Sequence, residues 1–168
     1  MKRNLMMILS FAVILAFIVP VTTNAQSGKA NFAGTWAFNE SKSDMGQGGR
    51  GFGGGDMVVK QDGNTMSVDR TRTNRDGESV TTTEKYSLDG KETVNSTGRG
   101  DSKSVAKWSA DGKSLSVTTS RTFDMNGETR EMKSTAVWTL TDAKTLAVTT
   151  TMNTQNGEMT RKMVYDKK

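Results

Sequence analysis

The stretch WSADGKSLSVTTSRTFDMNGETREMKSTAVW, residues 108–138, decides the fold because it places two turn signals between alternating runs. Asp111-Gly112 and Asn126-Gly127 are dipeptides that favour the two-residue turns of β-hairpins. With such turns, the facing pairs are Trp108 with Leu115, Ala106 with Val117, Leu115 with Trp138, Val117 with Ala136, Arg121 with Met132 and Phe123 with Arg130. The apolar residues then share one face, as a half-buried sheet requires, so the stretch predicts two consecutive hairpins.

Turn phrases of the same kind recur every ten to sixteen residues along the rest of the chain. They predict strands at 33–39, 56–61, 65–73, 79–88, 91–96, 103–110, 113–123, 128–140, 144–152 and 158–166. The predicted fold class is therefore all-β, an antiparallel up-and-down meander. We expect it to close into a β-barrel of about 8–10 strands, because closure removes exposed edges.

Two other hairpins carry register predictions. A two-residue turn at Asn156-Gly157 would place Met152 opposite Arg161 and Val148 opposite Tyr165. The Asp76-Gly77 phrase does not fit a two-residue turn, so a bulge or a longer loop is expected there.

The first residues have the features of a secretory signal peptide. A basic start precedes an apolar run, Leu5 to Val19, and Ala25 offers a small residue at a cleavage site. We expect cleavage after Ala25, an N-terminal extension at 26–32 and one barrel domain at 33–168 with a Gly-rich loop at 46–55. The protein is then secreted or periplasmic. The apolar run is short for a membrane span and is removed by this cleavage, so we expect no transmembrane span in the mature chain.

The composition excludes several classes of site. The chain has no His and no Cys, which removes Cys/His zinc sites, His-ligated haem and nucleophiles activated by His. We therefore expect neither an enzyme nor a cofactor, and no metal site. The leader holds two of the 23 basic residues and none of the 18 acidic ones, so the mature chain has only a mild positive excess. The basic residues are scattered rather than clustered, which argues against a nucleic-acid partner.

In a meander, successive turns alternate between the two ends of the barrel, so each inward-facing residue can be assigned to one end. The residues expected to fill a closed, apolar end are Trp36, Trp108, Trp138 and Leu115. The residues expected to contact a ligand at a basic mouth are Arg70, Arg121, Arg130, Arg161, Phe123, Met152 and Tyr165. Several Arg side chains that converge suit a carboxylate or phosphate. Equally, Arg side chains near strand ends reach water and pair with acids such as Glu84 or Glu131.

Two further segments have plain explanations. The Gly-rich run after Gly46 is read as a flexible loop rather than a ligand-gated flap with Phe52 as its anchor. The Arg-Gly-Asp sequence at 99–101 matches an adhesion motif, but Gly and Asp are also ordinary turn residues.

Together with the ten-strand pattern, FAGTW at 32–36 resembles the calycin group, the lipocalins and fatty-acid-binding proteins. Lipocalins carry a Gly-x-Trp on the first strand with its Trp at the closed end, and Gly34 and Trp36 match it. The whole mature chain is similar to small exported bacterial proteins described as lipocalin-like. Fatty-acid-binding proteins hold a carboxylate with Arg and Tyr from an Arg-x-Tyr. Here Arg161 and Tyr165 share a face of the last strand but lie four apart, and the Gly-rich segment replaces the two-helix lid.

The expected function is binding of a small amphiphile, with its tail inward and its anionic head at the Arg-lined mouth. The alternative is a structural or interaction barrel of the cell envelope with a packed interior and no small-molecule ligand. Cavity volume separates the two, because ligand sites usually occupy ~300–1,000 Å³.

Overall fold

The computed structural model describes residues 28–46, 54–74, 76–96, 100–125, 128–154 and 157–168. Ten strands account for most of them: β1 (Gly34–Asp44), β2 (Asp56–Asp62), β3 (Thr65–Thr73), β4 (Ser79–Ser87), β5 (Glu92–Ser96), β6 (Asp101–Trp108), β7 (Ser114–Met125), β8 (Glu128–Asp142), β9 (Thr145–Thr154) and β10 (Gly157–Lys167). Within these residues no helix has the length and apolar character that crossing a membrane requires. The predicted signal peptide, the centre of the Gly-rich loop and Arg99 of the Arg-Gly-Asp sequence fall outside the described residues.

The strands form one antiparallel sheet in the order β4-β3-β2-β1-β10-β9-β8-β7-β6-β5. Neighbours in sequence are neighbours in space, and β1 pairs with β10 to join the two ends of the chain. The sheet curls into a nearly closed barrel with β4 and β5 at its two edges. The predicted all-β meander is confirmed, with ten strands.

The two hairpins of the 108–138 stretch have the predicted register. All six pairs expected from it are observed, including Leu115 with Trp138 and Phe123 with Arg130. The Asp76-Gly77 phrase lies in a longer loop, as expected, because Thr73 pairs with Ser79. Asn74 organises that loop: its side-chain Oδ1 accepts hydrogen bonds from the backbone N–H groups of Asp76 and Glu78.

The last hairpin differs from its prediction by two residues. The observed pairs are Thr154 with Gly157, Met152 with Met159, Thr150 with Arg161, Val148 with Met163 and Leu146 with Tyr165. The predicted Met152–Arg161 and Val148–Tyr165 pairs are therefore wrong. Gly157 begins β10 instead of completing the turn, with a positive φ of 107° that glycine adopts readily. Because the shift is an even number of residues, every side chain keeps its predicted face.

Aromatic side chains fill one end of the barrel, and the chain segment before β1 contributes one of them. Phe32 is completely buried and packs on Trp108, with ring centroids 5.8 Å apart and planes 4° from parallel. It also meets Trp138 edge-on at 5.9 Å. The carbonyl of Phe32 accepts a hydrogen bond from the indole of Trp36, at 2.9 Å. Trp36, Leu115 and Trp138 are buried with it, and Trp108 is half-buried.

Side chains, rather than a strand ladder, bridge the described parts of β4 and β5. The backbone N–H of Lys85 donates to Asn95 Oδ1 at 2.7 Å, and Asn95 Nδ2 donates to the carbonyl of Lys85 at 2.9 Å. The N–H of Ser87 donates to Thr93 Oγ1 at 3.0 Å. The buried carboxamide of Asn95 thus takes the place of a peptide group between the two edges.

Candidate functional site

The inner wall of the barrel lines a partly open interior cavity of about 200 Å³ between β3, β4 and β7–β10. Its wall combines apolar, hydroxyl and charged side chains, all projecting from inward positions of the strands. The lining residues are Arg70, Glu84, Tyr86, Val117, Thr119, Arg121, Met132, Ser134, Ala136, Trp138, Val148, Thr150 and Met163. The outer wall has two depressions of about 230 and 290 Å³, but their described lining contains neither an aromatic ring nor an arginine. The interior cavity is therefore the candidate site.

A polar network forms one side of the cavity. The guanidinium of Arg70 donates a hydrogen bond to the hydroxyl of Tyr165 at 3.1 Å. Arg70 Nε also lies 3.9 Å from Glu84 Oε2, and the hydroxyl of Tyr86 donates to that same carboxylate oxygen at 3.1 Å. Arg70 and Glu84 are each about three-quarters buried, so their pairing offsets part of the cost of removing both charges from water.

The pKa values of two members of the network, Arg70 and Tyr86, are shifted from their ordinary values. Burial works against the charged form of Arg70, but the hydrogen bond to Tyr165 and the carboxylate of Glu84 favour it, and the pKa of Arg70 lies above its ordinary value. Burial, reinforced by the Glu84 carboxylate, raises the pKa of Tyr86 well above that of a free phenol. Tyr86 is therefore a neutral hydrogen-bond donor at physiological pH.

Arg70 does not lie where the sequence placed it. The sequence separates the arginines from the aromatic end, whereas the guanidinium of Arg70 lies 5.6 Å from the ring centroid of Trp138. A long side chain reaches inward from its strand, and its contacts with Glu84 and Tyr165 make burial tolerable. The expected separation of Arg residues from aromatic residues is therefore wrong for Arg70.

The other residues expected at a mouth lie at different distances from the cavity. Arg121 is part of the lining, opposite Met132 on β8. Phe123 and Arg130 are half-buried and pair with each other, two residues closer to the hairpin turn. Arg161 and Met152 contact each other through Nη2 and Sδ, at 3.5 Å, outside the lining.

Tyr165 is fully buried behind the cavity wall. Its ring meets that of Phe38 edge-on at 5.7 Å, and its hydroxyl accepts the hydrogen bond from Arg70. It therefore supports Arg70 rather than lining the cavity. Trp138, expected only as part of the closed end, also contributes to the cavity wall.

Glu84 and Tyr86 are two of the lining residues that the sequence reasoning missed as site residues. They lie two apart on β4, on the same face as Leu88, which is buried. That spacing was the available signal. The sequence did not give the length of the loop at 74–78. Without that length the register of β3 with β4 could not be predicted, so Glu84 and Tyr86 could not be placed next to Arg70.

The charged lining residues leave one net positive charge inside the barrel. Arg70 and Arg121 each contribute one positive charge, and Glu84 contributes one negative charge. Arg70 contacts Glu84 and Tyr165, and Arg121 lines the cavity from β7, opposite Met132 on β8.

No protein-family model and no curated protein sequence matches the chain significantly. Among solved structures, the chain is similar to the zebrafish ileal bile acid-binding protein complexed with cholic acid. The TM-score is 0.57 at 15% sequence identity, and the alignment covers 82% of this chain and 98% of that one. At this identity the similarity concerns the fold alone. The chain thus has the ten-stranded, nearly closed barrel fold of this bile acid-binding protein.

Proposed function

We propose that the barrel binds a small amphiphilic carboxylate in its interior cavity. The observation that carries this proposal is the net positive charge of a lining that also contains Val117, Trp138 and Val148. An apolar body would contact these three side chains, and the carboxylate would face Arg121. Arginine suits this role because its planar donors match the two oxygens of a carboxylate.

The cavity volume limits the size of this ligand. About 200 Å³ is below the usual range of ~300–1,000 Å³, so the cavity itself suits only a small molecule. A ligand of that size, with a favourable free energy per atom, reaches a dissociation constant on the order of 0.1–1 mM. A longer amphiphile would extend past Arg121 toward Phe123 and Arg130, where the sequence places the mouth.

Cyclohexanecarboxylate is a suitable probe, with the neutral cyclohexanemethanol as its control. With the methionine methyl groups labelled with ¹³C, we expect the probe to shift the signals of Met132 and Met163, which line the cavity. The signal of Met66, buried in the core outside the lining, should stay unchanged. Absence of any shift at Met132 and Met163 up to tens of millimolar would refute the proposal.

Two arginine variants test the head-group contact. Arg121→Gln should weaken carboxylate binding by about tenfold or more, because hydrogen bonds to charged groups are the strong ones. Arg72→Gln, an exposed arginine on β3, is the matched control and should leave the affinity unchanged. Equal affinities for the acid and the alcohol would remove Arg121 from the site.

We also propose that the chain is exported after cleavage behind Ala25 and acts as a carrier rather than an enzyme. The basic and apolar leader supports export, and the absence of His and Cys from the chain supports a non-catalytic role. N-terminal sequencing of protein recovered outside the cytoplasm should begin at Gln26. An intact Met1 would contradict this.

The packed structural barrel stays the second candidate, because specific observations favour it. The cavity is small, and Arg70 already has an acidic partner inside the barrel. If neither the carboxylate nor the alcohol moves any lining methyl signal, this second function replaces the first.

A further inference from the structure

We infer that the ligand of the proposed site is a hydroxylated carboxylate, of the sugar-acid class, rather than an aliphatic fatty acid. The inference rests on the proposed carboxylate-binding function. It comes from a feature of the wall that this function does not use. Three of the lining residues, Thr119, Ser134 and Thr150, have aliphatic hydroxyl groups.

Three hydroxyl side chains face each other directly across three strands. Ser104 on β6 is opposite Thr119 on β7, and Thr119 is opposite Ser134 on β8. Thr150 on β9 lies opposite Ala136, two residues along the same face from Ser134. Thr119, Ser134 and Thr150 all line the cavity. A band of hydroxyls therefore crosses the inner wall.

The hydroxyl groups of this band can form further hydrogen bonds. Ser104 Oγ and Thr119 Oγ1 are 2.9 Å apart and share one hydrogen bond. Each hydroxyl has one donor and two acceptor positions, so this bond leaves further positions on both groups. The carboxylate of Glu84, which also lines the cavity, adds an acceptor that accepts from a ligand hydroxyl and repels a second carboxylate.

An aliphatic chain does not match this wall. Laid against Thr119, Ser134 and Thr150, it would exclude water from their hydroxyls and return no hydrogen bonds. A ring with hydroxyl groups satisfies them and still presents its C–H face to Val117 and Trp138. The combination of apolar lining, hydroxyl band and net positive charge therefore favours a polyhydroxylated acid.

Two carboxylates with six-membered rings, glucuronate and cyclohexanecarboxylate, separate the alternatives. We expect glucuronate to bind at least about tenfold more tightly, which corresponds to about 1.4 kcal/mol. Neutral glucose should bind more weakly than glucuronate, because it lacks the charge that Arg121 faces. Calorimetric titration on the full mature chain measures all three.

Substitutions in the hydroxyl band test whether it causes the preference for glucuronate over cyclohexanecarboxylate. Thr119→Val combined with Ser134→Ala should lower glucuronate affinity about tenfold and leave cyclohexanecarboxylate within about twofold. Retained binding of the second acid also reports that the variant is folded. Thr118→Val is the matched control. Thr118 is the outward neighbour of Thr119, with its Oγ1 3.3 Å from Thr135 Oγ1, and its replacement should alter neither affinity.

Any other result contradicts either the inference about hydroxyl groups or the proposed function. If cyclohexanecarboxylate binds as tightly as glucuronate or more tightly, the hydroxyl inference is wrong and the proposed function stands. If glucuronate binds tightly but the double variant binds it unchanged, the band is not the recognition element and the inference fails. If neither acid binds, the proposed function fails and the inference fails with it.

Discussion

Phe32 anchors the segment before β1 in the core, and its replacement by alanine should be strongly destabilising. The side chain is completely buried between Trp108 and Trp138, so the substitution removes apolar area and leaves a cavity. Comparable Phe→Ala changes cost ~3–5 kcal/mol, including lost aromatic contacts. The backbone hydrogen bonds of residue 32 to Trp36 and Gln61 survive the change, so packing accounts for the whole effect.

Urea denaturation followed by tryptophan fluorescence measures this loss directly. With a slope of about 2 kcal/mol per molar urea, a loss of ~4 kcal/mol lowers the midpoint by about 2 M. Phe38→Ala is the matched control. Phe38 is only half-buried, and among the described residues its ring meets that of Tyr165, so its loss should be about half as large. If the Phe32 variant loses less stability than the Phe38 variant, the segment before β1 does not contribute to the core as described.

Two further predictions concern the seam between β4 and β5 and the pH dependence of stability. Asn95→Ala removes both hydrogen bonds to Lys85, so it should cost roughly 2–3 kcal/mol and speed hydrogen exchange at the Lys85 amide; unchanged protection of that amide would contradict the bridge. The pKa of Asp56 is lowered by Lys168, whose Nζ is 2.6 Å away, so the carboxylate stabilises the fold above about pH 4 and stops doing so as the pH falls further. The stability difference between the wild type and Asp56→Asn should therefore be smaller at about pH 3 than at about pH 7, and equal differences in urea titrations at both would refute the ion pair.

The sequence predicted the architecture because side-chain alternation and turn dipeptides act locally. Leu115 and Trp138 could be paired on paper, since one short turn connects their strands and determines which residues face each other. For the last hairpin the predicted register was wrong by two residues, because Gly157 begins β10 instead of forming part of the turn. An even shift preserves the face, which is why the error left the inner surface correctly assigned.

The glycines before β2 show where composition alone misleads. A Cβ atom on Gly55 would lie 2.0 Å from the carbonyl oxygen of Thr71, so this position needs glycine for close packing. The Gly-rich run therefore has a packing requirement at its end that its composition conceals.

The site was harder to predict than the fold because it depends on contacts between distant strands. Arg70 reaches Tyr165 across 95 positions of sequence, and no local pattern encodes that hydrogen bond. Its contact with Glu84 needed the register of β3 with β4, which follows from loop length rather than from a turn dipeptide. The sequence allowed two roles for Arg70, an ion pair with an acid such as Glu84 or a contact with an anionic ligand. The observed contact with Glu84 agrees with the first.

The carboxamide that bridges β4 and β5 also determines where this protein can be produced. Asn95-Ser96-Thr97 is a sequence that eukaryotic secretory pathways glycosylate, yet Asn95 is 7% exposed and its Nδ2 already donates to the carbonyl of Lys85. A sugar attached there during synthesis would occupy that nitrogen and need space that the folded barrel does not have. Chains made in such a host would divide into unmodified molecules that fold and glycosylated molecules that cannot close the seam. A host without this modification avoids the loss.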